Sequence, residues 1–371
     1  MVKVFHTGDI HLDSAFHKLG YEERIAARQH QRDIFEKMIK YVAENNFDIL
    51  LISGDLFDGR NISPETEECV KKGFESVGCR VFISPGNHDP YALTPPYFRS
   101  SLPDNVYVFN SAEIQVQQIE ELGVQVCGYA FMTSNIYAED PLANFSLPSF
   151  EGASILCAHG ELNTPNSRFA PISDKAIAEK KFTYAALGHV HTAEILKVGE
   201  STIAYSGVIE GRAFDELGEC GGIEVFIDGK EVVSAKRVLF SEKKFVRDTI
   251  DIGDCAEPSE LARYIEDILV SRGYDKTTAI RLTLDGETDI GFSFDKNVLE
   301  AILSEKFMLV EIFVRTCPRI DTKALENDYT LRGEIYRVLR DEIESEEWER
   351  RRKALEALKV ALFAIDGRSI R

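Results

Sequence analysis

The chain has 371 residues, 44% hydrophobic and 28% charged, an ordinary globular balance and too long for one small domain. No apolar run reaches about 18 residues, which excludes a helical membrane span. The seven scattered cysteines, never spaced C-x-x-C, exclude a disulfide framework or zinc knuckle. A formal net charge of −19 argues against a protein that grips nucleic acid by bulk electrostatics alone.

The chain opens on an alternating strand over residues 2–7, without the apolar core and cleavage site of a secretory signal, so a cytoplasmic location is expected. A helix follows, marked by Ile34, Met38, Ile39 and Val42 and broken at Asn45-Asn46. Arg24, Arg28 and Arg32 recur at i, i+4, i+8 on it, as a basic stripe for phosphates or, more simply, a solvated face. Further strands are expected at 48–53, 80–84, 124–130, 153–158, 183–188, 202–206, 222–227 and 231–239. Strands interleaved with helices, then running more purely strand-like, predict layered α/β (α+β) structure with more than one sheet over residues 1–240.

Residues 245–320 read strand, helix, strand, helix, strand, a small separate α+β domain whose first helix carries Leu261, Tyr264, Ile265, Ile268 and Leu269 on one face. The tail, 327–371, is polar and helical. Leu331, Ile335, Val338 and Ile343 mark one stripe, and Leu355, Leu358, Leu362 and Ile365 another, with an acidic run from Glu342 to Glu349 between them. This is a helical hairpin packed on its own protein or a helix pair that docks a partner.

Five of the eight histidines fall in short motifs, each closing an apolar strand. These are Gly8-Asp9-Ile10-His11, Gly86-Asn87-His88-Asp89, Ala158-His159-Gly160-Glu161 and Gly188-His189-Val190-His191. A histidine-free companion, Ser53-Gly54-Asp55-Leu56-Phe57-Asp58, follows Ile49–Ile52. On an extended backbone Asp9 and His11, like His189 and His191, point to one side. Glycine lets the chain turn sharply before Asp55. Carboxylate, amide oxygen and imidazole together suit a divalent metal, and in α/β sheets ligands gather at the carboxyl ends of strands. One such histidine is ordinarily a hydrogen-bonded surface or core residue; the ordered set points to a metal site.

D-x-H, G-D, G-N-H-D, H-G and G-H-x-H, in this order over residues 1–240, resemble the calcineurin-like metallophosphoesterase superfamily. The resemblance implies two packed β-sheets flanked by helices. Asp9-Ile10-His11-Leu12-Asp13-Ser14 and Gly207-Val208-Ile209-Glu210-Gly211-Arg212-Ala213-Phe214-Asp215-Glu216 further resemble the SbcD-type DNA repair exonucleases, in particular their YhaO-type branch. The domain after residue 245 fits the capping domain of those nucleases. By that resemblance one divalent ion, of manganese type, is held by Asp9, His11 and His191, a second by Asn87, His159 and His189, and Asp55 bridges them. Archaeal and eukaryotic relatives carry a histidine three residues after the bridging aspartate. Here Asp58 stands there, as in the bacterial SbcD type and many phosphatases.

The implied chemistry is hydrolysis of a phosphate ester, with His88 protonating or positioning the leaving alcohol and Asp58 holding its imidazole, or else serving as a loop-capping carboxylate. Arg60 and Arg212, near the motif loops, are candidates to meet substrate phosphate. Two enzyme readings share this site. A DNA nuclease working with an SMC-like coiled-coil ATPase is favoured by the opening motif and capping domain; a small-molecule phosphodiesterase or phosphatase is favoured by the acidic charge. A homodimer is compatible with either. A non-enzymatic scaffold is disfavoured by seven intact ligand positions.

Overall fold

The structure is a computed structural model describing residues 1–17, 20–99, 102–134 and 140–367. Its contacts divide into two compact units, Met1–Lys244 and Phe245–Arg371.

In chain order the first unit runs β1 (Val2–Thr7), α1 (Tyr21–Glu44), β2 (Ile49–Ile52), α2 (Pro64–Ser76), β3 (Arg80–Ile83), α3 (Pro95–Phe98), β4 (Val106–Val108), β5 (Gln115–Ile119), β6 (Val124–Gly128) and β7 (Ala153–His159). It continues with β8 (Glu161–Leu162), β9 (Pro171–Ile172), α4 (Asp174–Glu179), β10 (Tyr184–Gly188), β11 (Glu194–Val198), β12 (Ser201–Tyr205), β13 (Gly221–Asp228) and β14 (Glu231–Leu239). Two six-stranded sheets result, ordered β14-β13-β1-β2-β3-β4 and β11-β12-β10-β7-β6-β5.

Side chains alternate across a strand, so each central strand feeds two cores. Val4, Ile49, Leu51, Ile155, Cys157, Tyr184 and Ala186 meet between the sheets. Their neighbours Phe5, Leu50 and Ile52 pack against Ile34, Phe35, Met38 and Ile39 of α1. On the other sheet, Leu156, Ala158, Ala185 and Leu187 pack with Ile177 of α4. The architecture is therefore helix, sheet, sheet, helix, the two-sheet sandwich expected from the motifs. Burial on both faces explains why the central strands read as unbroken apolar runs.

Parallel pairing puts Thr7, Ile52 and Ile83 level at one sheet's carboxyl edge, and His159 level with Gly188 in the other. The loops that carry the motifs leave from these two edges.

In the second unit β15 (Lys244–Asp251), β16 (Thr278–Asp285) and β18 (Leu309–Val314) form a three-stranded sheet. Its core takes Leu261, Ile265 and Leu269 from α5 (Leu261–Ser271) and Leu299 and Leu303 from α6 (Lys296–Leu303). The short strands β17 (Glu287–Asp289) and β19 (Cys317–Arg319) pair beside it, and α7 (Thr322–Glu326), α8 (Leu331–Ile343) and α9 (Trp348–Ile365) close the chain. Leu355, Leu358 and Leu362 of α9 pack with Tyr336 and Ile343 of α8 and with Ile290, Cys317 and Ile320.

The first stripe expected in the tail is met in part, Ile343 being buried and Ile335 packing on the tail's core. Leu331 and Val338 are exposed, at 62% and 81%, and the buried face of α8 runs through Gly333, Tyr336 and Ile343. Gly333 sits in close approach, where a Cβ would lie 1.9 Å from the Asp328 carbonyl oxygen. That contact carries no hydrophobic periodicity to read.

Candidate metal centre

Asp9 and His11 follow β1 but not as extended backbone. Both are left-handed, with φ of 48° and 52°, as is Asp55 at 49°, and His189 has φ 97°. The expected i, i+2 alternation is therefore replaced by a chain of tight turns, and the side chains still converge. Such conformations are costly for non-glycine residues and persist where surroundings over-determine them. Here the loops after β1 and β2 bond to each other: Asp9 N–H to the Gly54 carbonyl (3.0 Å), His11 to Asp55 (2.9 Å), Leu12 to Leu56 (2.9 Å), and Asp58 back to Leu12 (2.8 Å). Two glycines are steric necessities. A Cβ on Gly54, itself at φ 96°, would lie 2.2 Å from His159 Nδ1, and one on Gly86 would lie 2.2 Å from Asp55 Oδ1.

The seven expected ligand residues come together in two overlapping groups. Ligand atoms of Asp9, His11 and His191 lie within 4.8 Å of one another, with His11 Nε2 and His191 Nε2 3.3 Å apart. Asn87 Oδ1 is 2.9 Å from His159 Nε2 and 3.2 Å from His189 Nδ1. Asp55 Oδ2 faces both groups, 3.8 Å from His11 Nε2 and 3.4 Å from His159 Nε2.

Comparison with known proteins agrees with this geometry. Residues 2–193 match the family described as calcineurin-like phosphoesterase. This chain is a calcineurin-like phosphoesterase. It is 25% identical to an uncharacterized metallophosphoesterase, YhaO, of Bacillus subtilis, over 76% of this chain and 71% of that one. It is 24% identical to a DNA double-strand break repair protein Mre11 of Aeropyrum pernix, over 68% of this chain and 64% of the relative. An Mre11 of Methanocaldococcus jannaschii is 27% identical over 48% of this chain and 50% of the relative. A solved dimetal phosphatase from Danio rerio aligns with 65% of this chain and 99% of its own length, at 9% identity and a TM-score of 0.42.

The residues fit the dinuclear metal sites of the family whose model the chain matches. The donor set is mixed nitrogen and oxygen. Metal-ligating imidazoles must be neutral; burial keeps His159 down at about 4 and lowers His11 and His189, whereas His191 is raised, burial there being outweighed by the Glu216 hydrogen bond and nearby carboxylates. Burial, and then the charge of Asp55, push Asp9 up to about 8, so these two carboxylates resist joint ionisation unless positive charge sits between them.

Three of the four histidines, His159, His189 and His191, are also held from behind, which the sequence did not disclose. His159 Nδ1 donates to the Ser53 carbonyl (3.0 Å), His189 Nε2 meets Glu161 Oε1 (3.2 Å), and His191 Nδ1 meets Glu216 Oε1 (2.9 Å). Such partners fix tautomer and ring orientation. Glu161 and Glu216 both stood within quoted motifs, but their partners are set by the fold. Asp89, the last residue of G-N-H-D, is a scaffold. Its buried carboxylate accepts from the backbone N–H groups of Asp55, Leu56, Phe57 and Gly86 and from the Tyr97 hydroxyl. Asp13 likewise ties the first loop to the start of α2 through Ser63 and Thr66.

Asp58 stands 2.7 Å from His88 Nδ1 and 3.5 Å from His11 Nδ1. That hydrogen bond lifts His88 to about 9 against the opposing effect of burial. Half-exposed His88 lines a cavity of about 350 Å³ with Arg60, Asn87, Gly59, Pro90 and Ser134. Arg212 is clamped by Glu216 and donates to Ser14 Oγ (2.9 Å), close enough to the centre to bear on Asp9 and His11. The basic stripe on α1 is not free. Arg28 Nε donates to the Ser14 carbonyl, and Arg32 donates to Thr66 and lies 3.8 Å from Asp13. Two of its three arginines are thus bonded to the protein's own chain.

Proposed function

We propose that this chain is a two-metal phosphodiesterase that cleaves DNA, with Asp9, His11 and His191 holding one ion, Asn87, His159 and His189 the other, and Asp55 shared. The carrying observation is that Asp55 Oδ2 faces His11 and His159 at once, from between two groups of ligand atoms. When bound, two divalent ions, manganese by resemblance, supply an activated water and neutralise charge on phosphoryl oxygens. His88, its Nδ1 bonded to Asp58, keeps Nε2 for the substrate. The Asp58 hydrogen bond favours the protonated imidazole, which can donate to the leaving oxygen. Arg60, in the same cavity, is positioned to meet phosphate.

DNA as substrate rests on the likeness to proteins named for double-strand break repair. The SMC-like ATPase implied by resemblance would offset the acidic charge of −19 by supplying its own grip on DNA. That charge and the limited cavity beside His88 support the second reading, a small phosphodiester. Among the described residues no helix is long and apolar enough to cross a membrane.

The test is digestion of end-labelled duplex and hairpin DNA with added manganese, with cyclic nucleotides and dinucleotides in parallel. Metal-dependent DNA cleavage is expected. Turnover of the small compounds alone would replace the nuclease by the second reading.

A further inference from the structure

We propose that the first unit holds a second ligand site, at the opposite end of its second sheet from the metal centre, that binds a small organic phosphate. A cavity of about 380 Å³ opens there, beside the amino ends of β7 and β10, between the chain around Leu147–Phe150 and the turn after α4. Its size falls within the roughly 300–1,000 Å³ usual for small-molecule sites. His159 closes the far end of β7, so the length of that strand, roughly 20 Å, separates the two sites.

Three lysines, Lys180, Lys181 and Lys230, line the cavity of a protein whose net charge is −19. Lys180 Nζ donates to the Phe145 carbonyl (2.6 Å) and Lys230 Nζ to the Phe150 carbonyl (3.1 Å). An ammonium has three donors, so each retains others. Among the described residues none of the three is ion-paired, although Glu200 stands on the rim. Leu147, Pro148 and Phe150 supply an apolar wall. Lysines beside such a wall suit a phosphate attached to a flat or apolar body better than a bare anion.

Lys181 adds an independent observation. α4 ends in paired closing bonds, Lys181 N–H to the Ala178 carbonyl and Phe182 N–H to that of Ile177, which is the Schellman arrangement. Its left-handed position ordinarily takes glycine, yet Lys181 occupies it at φ 62°. A lysine there costs backbone stability, yet Lys181 stands in the cavity's lining.

The full-length protein with its metals is titrated with adenosine 5′-monophosphate, adenosine and inorganic phosphate. The wild type is compared with Lys181→Gly, Lys230→Ala and, for the metal centre, Asp55→Asn. The nucleotide is expected to bind more tightly than adenosine or phosphate. Its affinity should fall roughly tenfold or more in each lysine variant, as lost charge-assisted contacts imply, and persist in Asp55→Asn. Lys181→Gly should unfold no earlier than wild type and hydrolyse a generic phosphodiester at the wild-type rate, which separates lost binding from lost folding. Nucleotide binding indifferent to both lysines, or abolished by Asp55→Asn, overturns the second site. Inorganic phosphate binding as tightly as the nucleotide overturns the ligand class.

Discussion

At the scale of single residues, His88→Ala separates ligand from acid. The variant should keep its metal content and lose turnover by about 10²–10⁴-fold, since proton transfer is removed and coordination is not. Metal analysis beside steady-state rates reads both, and an unchanged rate removes His88 from the reaction. His6 is a different case: a strand histidine that never reaches the centre. It is fully buried between the Tyr184 hydroxyl (2.8 Å) and Ser53 Oγ (3.0 Å), and burial lowers it to about 3. The unfolded chain therefore takes up a proton that the native state refuses. Its contribution is whole above an unfolded pKa of about 6.5 and is lost as pH falls towards 3. Chemical denaturation between pH 7 and pH 4 should show wild type losing more stability than His6→Gln; parallel curves would contradict this. The contrast between His6 and His11 marks what was legible. His11 sits in a motif beyond its strand's end, whereas His6 lies inside the strand and reads as structural. Glu161 and Glu216 stayed hidden because the nitrogen a histidine offers to its carboxylate depends on ring orientation, not on sequence distance.

At the scale of elements, the strands that carry ligands were the easiest to read. β2, β7 and β10 are buried on both faces, so Ile49–Ile52 and Ile155–Ala158 run apolar without interruption. β4 and β11 stand at the edges of the two sheets, and β5, the other edge strand of the second, is no easier; all three are half-exposed or polar, and none showed a pattern. The turns that aim Asp9, His11 and His189 were read as extended because left-handed aspartate and histidine leave no trace in hydrophobicity, whereas the turn before Asp55 was marked by its glycine. The tail gives a direct check. Leu358→Ala empties a fully buried position and should cost about 2–5 kcal/mol, whereas Val338→Ala, on the exposed face of α8, should stay within about 0.5 kcal/mol. Urea unfolding of the two variants measures this. Equal losses would mean that α8 presents the other face.

At the scale of the molecule, layered α/β structure was legible in alternating strands and helices, the two-sheet sandwich only through the resemblance carried by the motifs, and the candidate site as five motifs in order. The lysine-lined cavity behind the second sheet was not, because it is built from an irregular segment and a helix cap that share no pattern. The first unit contains every proposed ligand, so a fragment Met1–Lys244 should fold, take up divalent ions and hydrolyse a generic aryl phosphodiester. A folded fragment without metal would show that the second unit is needed at the centre. The central claim concerns paired ions held around one shared carboxylate. Equilibrium dialysis against manganese, read by elemental analysis, should give two ions per wild-type chain and at most one, weakly held, in Asp55→Asn. No bound metal in the wild type, or an unchanged stoichiometry and affinity in the variant, would contradict it.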